Sequence, residues 1–263
     1  MCRRGYNGAR YNAPNSLHRV ASVHNDMARF IAAAVQAAPV FMDRAATTRK
    51  ACRLIREASE KGAKVIAFPE SFIPAFPYGV WHHGVRRNMQ FYKQLHESAV
   101  SLDGPEVKAL KSAAREAGSV VVMGVTERDG GSLYNAQLFL GADGSLLGTR
   151  RKLKPTSAER LVWGEGDGAG LRVHDTGETG RIGGLICGEH NLSLARYTMQ
   201  SQQEQLHIAS YPDPFMEGRS FAERVDAAVR HYAAEGQCFV LNATGYLDEQ
   251  ARDALYDSPE LAD

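Results

Sequence analysis

Short apolar runs alternate along this chain with longer stretches whose apolar residues recur at helical spacing. That alternation constrains the fold more than any other feature. Runs at 30–37, 64–68, 119–126, 182–186, 206–210 and 237–243 have the length and apolar character of buried strands. A helix is predicted from Asp43 as N-cap, with Ala51, Leu54, Ile55 and Ala58 on one face and Gly62 as terminator. Pro105 opens a second helix, with Val107, Leu110, Ala114 and Ala117 inward and Gly118 as its stop. Further helices are predicted over 194–203 and 220–235. The stretches 133–140 and 145–152 flank Asp143-Gly144, a hairpin signal. Strands alternating with helices, plus one hairpin, imply an α/β layered domain. No linker, repeat or low-complexity tract divides the pattern, so one domain is expected over 29–246. A flexible leader is expected over 1–28, with Met27 as a second candidate start, and an acidic segment, helical or frayed, over 247–263.

Composition narrows the class. A formal net charge of +1 gives no electrostatic case for nucleic acid or an anionic membrane. No apolar stretch approaches the roughly 20 residues of a membrane span, and the basic first residues lead into no apolar segment of a secretory signal. Cys2, Cys52, Cys187 and Cys238 are scattered, without a CxxC pair or metal-ligand spacing. That pattern predicts a reducing, cytoplasmic setting and no metal.

Three segments carry chemistry. In Phe68-Pro69-Glu70-Ser71-Phe72 a carboxylate follows an apolar strand directly, where desolvation raises its pKa toward that of a general base; the plainer reading is a turn acid or helix cap. In Arg150-Arg151-Lys152-Leu153-Lys154 strand alternation puts Lys152 and Lys154 on one face, and periodicity does not choose between them. In Cys187-Gly188-Glu189-His190-Asn191 a thiol ends an apolar strand at a turn toward a helix. A helix N-terminus and a nearby ammonium would lower its pKa, whereas Cys238, inside an apolar run, reads as inert packing. His190 invites a Cys–His dyad, but its spacing along a turn disfavours contact with the sulfur. Phe72, Phe76, Tyr78 and Trp81 are candidates for an aromatic pocket or for packing.

Taken together, the chain resembles the nitrilase superfamily of carbon–nitrogen hydrolases, with the true nitrilases as the nearest branch. The resemblance lies in FPESFIPAFPYGVW (68–81), RRKLKPTSAERLVWGEGDG (150–168), LARYTMQSQQEQLHIASYP (194–212) and EGQCFVLNATG (235–245). It implies a catalytic triad of Glu70, Lys152 and Cys187, with Lys152 favoured over Lys154 because it follows the Arg-Arg pair. It places Glu159 as a second glutamate supporting the lysine. It adds Gly188, Glu189, His190, Tyr78 and Trp81 to Glu159 as substrate-binding candidates. For fold it implies a four-layer α-β-β-α sandwich, lacking its last strands at this length, in subunits that assemble as homodimers or larger homo-oligomers. Gly188 departs from the family, in which tryptophan usually follows the nucleophile. The implied reaction is hydrolysis of a small-molecule nitrile to an acid and ammonia through a thioimidate and a thioester, without a cofactor. An amide-directed relative (amidase or carbamoylase) and an inactive truncated homologue are the alternatives.

Overall fold

The computed structural model describes residues 29–81, 84–214, 218–249 and 252–253. The leader predicted over 1–28, and most of the segment predicted over 247–263, lie outside the described residues. Two sheets are present. The first runs in the order β1 (Ile31–Ala34), β2 (Ala63–Ala67), β3 (Val120–Asp129), β4 (Ser132–Leu140) and β5 (Leu146–Arg151). Its first three strands are parallel and its last three antiparallel. The second runs β6 (His174–Asp175), β7 (Arg181–Ile186), β8 (Leu206–Tyr211) and β9 (Phe239–Thr244), parallel except for the β6–β7 pair.

Side-chain alternation builds the layers. Val65 and Ala67 of β2 meet Val120 and Val122 of β3, Phe139, and Ile182, Leu206 and Ile208 of the second sheet in a cluster between the sheets. Ile66 points the other way, into a cluster shared with Ala51 and Ile55 of α1 (Arg44–Glu60). Val107, Leu110 and Ala114 of α3 (Pro105–Ala117) join it, following α2 (Val85–Ser98) in chain order. On the far side Ala195 and Met199 of α4 (Ser193–Gln200) and Val225 and Tyr232 of α5 (Gly218–Gly236) cover the second sheet. The result is an α-β-β-α sandwich. β9 lies at an edge of the second sheet beside β1, and the two edges carry the exposed side chains Ile31 and Phe239.

Local chemistry accounts for the element ends. The Asp43 carboxylate accepts from the Ala46 N–H at 2.8 Å, capping α1. Pro105 begins α3 and Gly118 ends it in left-handed backbone. Two elements depart from the sequence reading. α2 occupies a stretch with no predicted element, burying Phe91 and Leu95. A second hairpin joins β3 to β4 at Gly130-Gly131, so the antiparallel part has three strands rather than two.

β3 also supports the segment that carries Glu70. Ile73 lies beside Val125, with the Ile73 N–H donating to the Gly124 carbonyl at 3.2 Å and the Thr126 N–H to the Ile73 carbonyl at 2.8 Å. A Cβ on Gly124 would lie 2.0 Å from the Pro69 carbonyl oxygen and 2.8 Å from the Ser71 nitrogen, both backbone atoms that cannot rotate away. Gly124→Ala is therefore expected to destabilise the fold by about 1–3 kcal/mol and to displace Glu70. The urea midpoint and the catalytic rate read the two effects, and unchanged values in both would contradict this support.

Candidate active site

Glu70 leaves the end of β2 and turns into the protein interior, where both its carboxylate and the Lys152 ammonium are fully buried. Glu70 Oε1 accepts from Lys152 Nζ at 2.7 Å and from Asn135 Nδ2 at 2.7 Å. Lys152 Nζ also donates to Glu159 Oε2 at 2.7 Å. That oxygen is fixed by the Thr156 N–H at 2.7 Å, within a capping box on the short turn Ser157–Leu161. Lys152 therefore bridges two carboxylates, one at each end of its hydrogen-bond fan. The strand ends at Arg151, so Lys152 and Lys154 do not share a face: Lys154 stays exposed and pairs with Glu165.

Burial is the largest influence on Glu70. It raises the carboxyl, Lys152 lowers it, Glu159 raises it again, and the group is pushed up to about 7. Burial alone would pull Lys152 down, but Glu70, Glu159 and Cys187 offset this and hold it above the ordinary lysine range, as an ammonium. Glu70 Oε2 is buried with no hydrogen-bond partner among the described residues, an acceptor left open for an incoming proton.

Cys187 follows β7 and opens the short turn Cys187–Asn191 in left-handed backbone, φ 46°. A non-glycine residue held there is strained, a feature concentrated at functional sites. Its thiol feels Glu70, Lys152 and Glu159 together. The lowered pKa predicted for it is reversed: burial, then Glu70, push the thiol well up, and Lys152 only partly counters them. The turn is too short for a helix dipole, and the resting Cys187 side chain is a thiol. A thiol in that state attacks only if a base alongside takes its proton.

Two cavities, of about 210 Å³ and 510 Å³, meet at Cys187 and share Thr156 and Phe221 as lining. The smaller one is walled by Phe76, Tyr78 and Trp81, with Glu159 at the polar end. Phe76 stacks on Trp81 at 5.6 Å, and the Tyr78 hydroxyl accepts from the Asp213 N–H at 2.8 Å. Gly188 lines the larger cavity. Of the expected pocket residues, Phe72 is instead packed in the core against Phe68.

Two expected substrate-binding residues stand elsewhere. Both oxygens of the buried Glu189 are taken up, by the Arg150 guanidinium at 2.6 and 2.7 Å and by the Leu153 and Ile186 N–H groups at 2.7 and 2.8 Å. Burial would raise this carboxyl, but Arg150 and those N–H groups hold it below the usual range. It rivets the end of β5 to the Cys187 turn and has no free atom for a ligand. His190 turns its Nδ1 to the Cys187 carbonyl at 2.8 Å, and burial and His207 keep the ring neutral. A Cys–His dyad is thus absent. Asn135, Thr156, Phe221 and Asp213 are contributors that sequence reasoning missed. The Thr156-x-x-Glu159 capping-box spacing was the one usable signal among them.

A buried thiol beside a buried carboxylate–ammonium pair, lining a cavity in an α-β-β-α sandwich, is the candidate site. Residues 31–257 match the family described as carbon-nitrogen hydrolase. The chain is 42% identical over 230 residues to a nitrilase of Paraburkholderia phymatum, covering 88% of this chain and 67% of that protein. It is 44% identical over 236 residues to an aliphatic nitrilase of Rhodococcus rhodochrous, covering 88% and 64%. An arylacetone-specific nitrilase of Alcaligenes faecalis is 38% identical over 228 residues, covering 85% of this chain and 64% of that one. Among solved structures, a carbon-nitrogen hydrolase from Helicobacter pylori superposes with a TM-score of 0.67 at 19% identity, covering 85% of this chain and 77% of that one. The chain belongs to the carbon-nitrogen hydrolase family, and it spans about two thirds of the length of the nitrilases it matches.

Two outcomes follow from the geometry. Arg150→Met leaves Glu189 charged in a dry interior and should cost about 3–5 kcal/mol in chemical denaturation; a loss below about 1 kcal/mol would mean that the pair is dispensable. With ionised Glu70 as the candidate base, kcat/KM should rise with pH as its proton is lost. The acid limb should centre near pH 7, the value to which Glu70 is pushed. A limb centred below about pH 5, in the ordinary carboxylate range, would contradict that assignment.

Proposed function

We propose that this chain hydrolyses organic nitriles to carboxylic acids and ammonia through a covalent intermediate on Cys187. The observation that carries the reading is the open Oε2 of a Glu70 whose other oxygen is locked by Lys152 and Asn135, beside a thiol that cannot ionise alone. The match to nitrilases at about 40% identity supports nitriles over other carbon–nitrogen bonds.

In the mechanism, Glu70 Oε2 takes the Sγ proton as Sγ bonds to the nitrile carbon. One π pair of the triple bond moves to nitrogen, where the Lys152 ammonium stabilises it and the proton held by Glu70 completes a neutral thioimidate. Water, deprotonated by Glu70, adds to that carbon. The tetrahedral adduct expels ammonia and leaves a thioester. A second water, activated the same way, releases the carboxylic acid and returns the proton to Sγ. Two waters enter, and one acid and one ammonia leave. Glu159 keeps Lys152 aimed throughout. The aromatic wall of Phe76, Tyr78 and Trp81 receives the apolar body of the substrate, and Thr156 and Gly188 lie beside the nucleophile.

Cys187→Ala should abolish ammonia release from a nitrile panel, and Glu70→Gln or Lys152→Met should lower kcat by at least about 100-fold. Each nitrile is assayed beside its matching amide. Full turnover by the alanine variant would sink the covalent mechanism, and turnover of amides alone would move the activity to amide hydrolysis.

We also propose that copies of the chain self-associate through α4, where Leu194 and Tyr197 are 82% and 70% exposed. Sedimentation should give a dimer or larger species that dissociates in a Leu194→Glu/Tyr197→Glu variant. A monomer in the unaltered chain would contradict the association.

A further inference from the structure

Behind the nucleophile lies a file of buried polar side chains for which the reaction has no direct use. Tyr232 of α5 donates its hydroxyl to Glu204 Oε2 at 2.5 Å. Glu204 Oε1 lies 2.8 Å from His207 Nδ1, and His207 Nε2 lies 3.1 Å from His190 Nε2. His190 Nδ1 lies 2.8 Å from the Cys187 carbonyl oxygen. All four side chains are buried, and they come from α5, the turn before β8, β8 itself and the Cys187 turn. The rings are clamped as well: His207 stacks on Tyr232 at 3.7 Å between centroids and His190 on Tyr211 at 5.1 Å.

The proton positions follow by elimination. A peptide carbonyl only accepts, so His190 Nδ1 carries hydrogen and the neutral ring offers Nε2 as an acceptor. His207 Nε2 must then donate, which leaves His207 Nδ1 and Glu204 Oε1 to share one proton between them. Every bond from His207 onward therefore points its hydrogen toward the carbonyl of Cys187, whichever of the pair holds the shared proton. Space for Glu204 depends on Gly183 of β7, where a Cβ would lie 2.3 Å from Glu204 Oε1.

We propose that His190, His207, Glu204 and Tyr232 form one positioning unit. It fixes the Cys187 peptide in its left-handed conformation and thereby aims the thiol at Glu70 and Lys152. Glu189 and Arg150 hold the turn from the first sheet. This unit holds it from the second sheet and α5, and the nucleophile is restrained from both sides. The four are positioning residues, since none of them touches the substrate cavity walls.

The test uses the full chain and two readouts: kcat and KM on a turned-over nitrile, and alkylation of Cys187 by iodoacetamide, located by mass spectrometry. His190→Phe fills the ring space but removes the donor. It should lower kcat and Cys187 alkylation together by about 10- to 100-fold, with KM changed less than about twofold. His190→Asn keeps an N–H for the carbonyl and should recover most of both rates. Wild-type rates in H190F overturn the proposal, as does an H190N as slow as H190F, which would assign the effect to ring packing. Should H190F fail to fold, His207→Asn carries the test, with about tenfold loss expected in both rates and wild-type rates overturning it. Although the kcat readout rests on the nitrile reading, alkylation does not. Slowed alkylation in a chain without nitrile turnover would keep the positioning unit and sink that reading.

Discussion

The interaction on which the rest depends is the buried bridge of Lys152 between Glu70 and Glu159. Taking these charges from water costs several kcal/mol per ion, and close contact recovers that only when geometry is good and remaining hydrogen bonds are made. Here they are made, by Asn135 on one carboxylate and the Thr156 N–H on the other. Two carboxylates around one ammonium nevertheless leave an excess negative charge in a dry volume. Burial outweighs the opposing pull of Lys152 and pushes Glu70 up to about 7, while burial, Glu70 and Glu159 together keep the neighbouring thiol protonated. In the proposed mechanism the site stores one mobile proton, which moves between Sγ, Glu70 and the substrate without creating a second unpaired charge.

Such a cluster demands that distant segments arrive within hydrogen-bond reach. Glu70 follows β2, Lys152 follows β5 and Cys187 follows β7, so strand ends from both sheets converge on one rim of the sandwich. The bare face of Gly124 lets the Glu70 segment lie flat on β3. The Arg150–Glu189 pair crosses from the first sheet to the Cys187 turn, so a residue two positions before Lys152 also fixes the position of the cysteine. Stability and the proposed function are thus coupled within one strand end: Arg150 carries the structural ion pair, and Lys152, two residues on, carries the pair at the candidate site.

Much of this was legible in the sequence because it depends on local order. Alternation of strand and helix patterns gave the layered class, Asp43 and Pro105 marked helix starts, and Glu70 and Cys187 stood out as polar residues at the ends of apolar runs. What was not legible depends on through-space partners. Glu189 looks like a site residue by position, and only its four hydrogen bonds reveal a rivet. Asn135 sits mid-strand with no signal beyond its register opposite Lys152. The thiol pKa departs from the sequence expectation because burial, its largest cause, depends on packing that the sequence does not show. Helix α2 escaped notice because its apolar stripe is narrow, with only Phe91 and Leu95 buried.

The central claim is that Glu70 is protonated in slightly acidic solution and ionises near neutrality while Lys152 stays charged. Infrared difference spectroscopy across a pH titration reads this directly through the carbonyl stretch of a buried carboxylic acid. A band lost with a midpoint near pH 7, and missing from a Glu70→Gln variant, is the result this account predicts. A spectrum with no such titrating band, identical in both proteins, would show that Glu70 does not change protonation near neutrality and would contradict it.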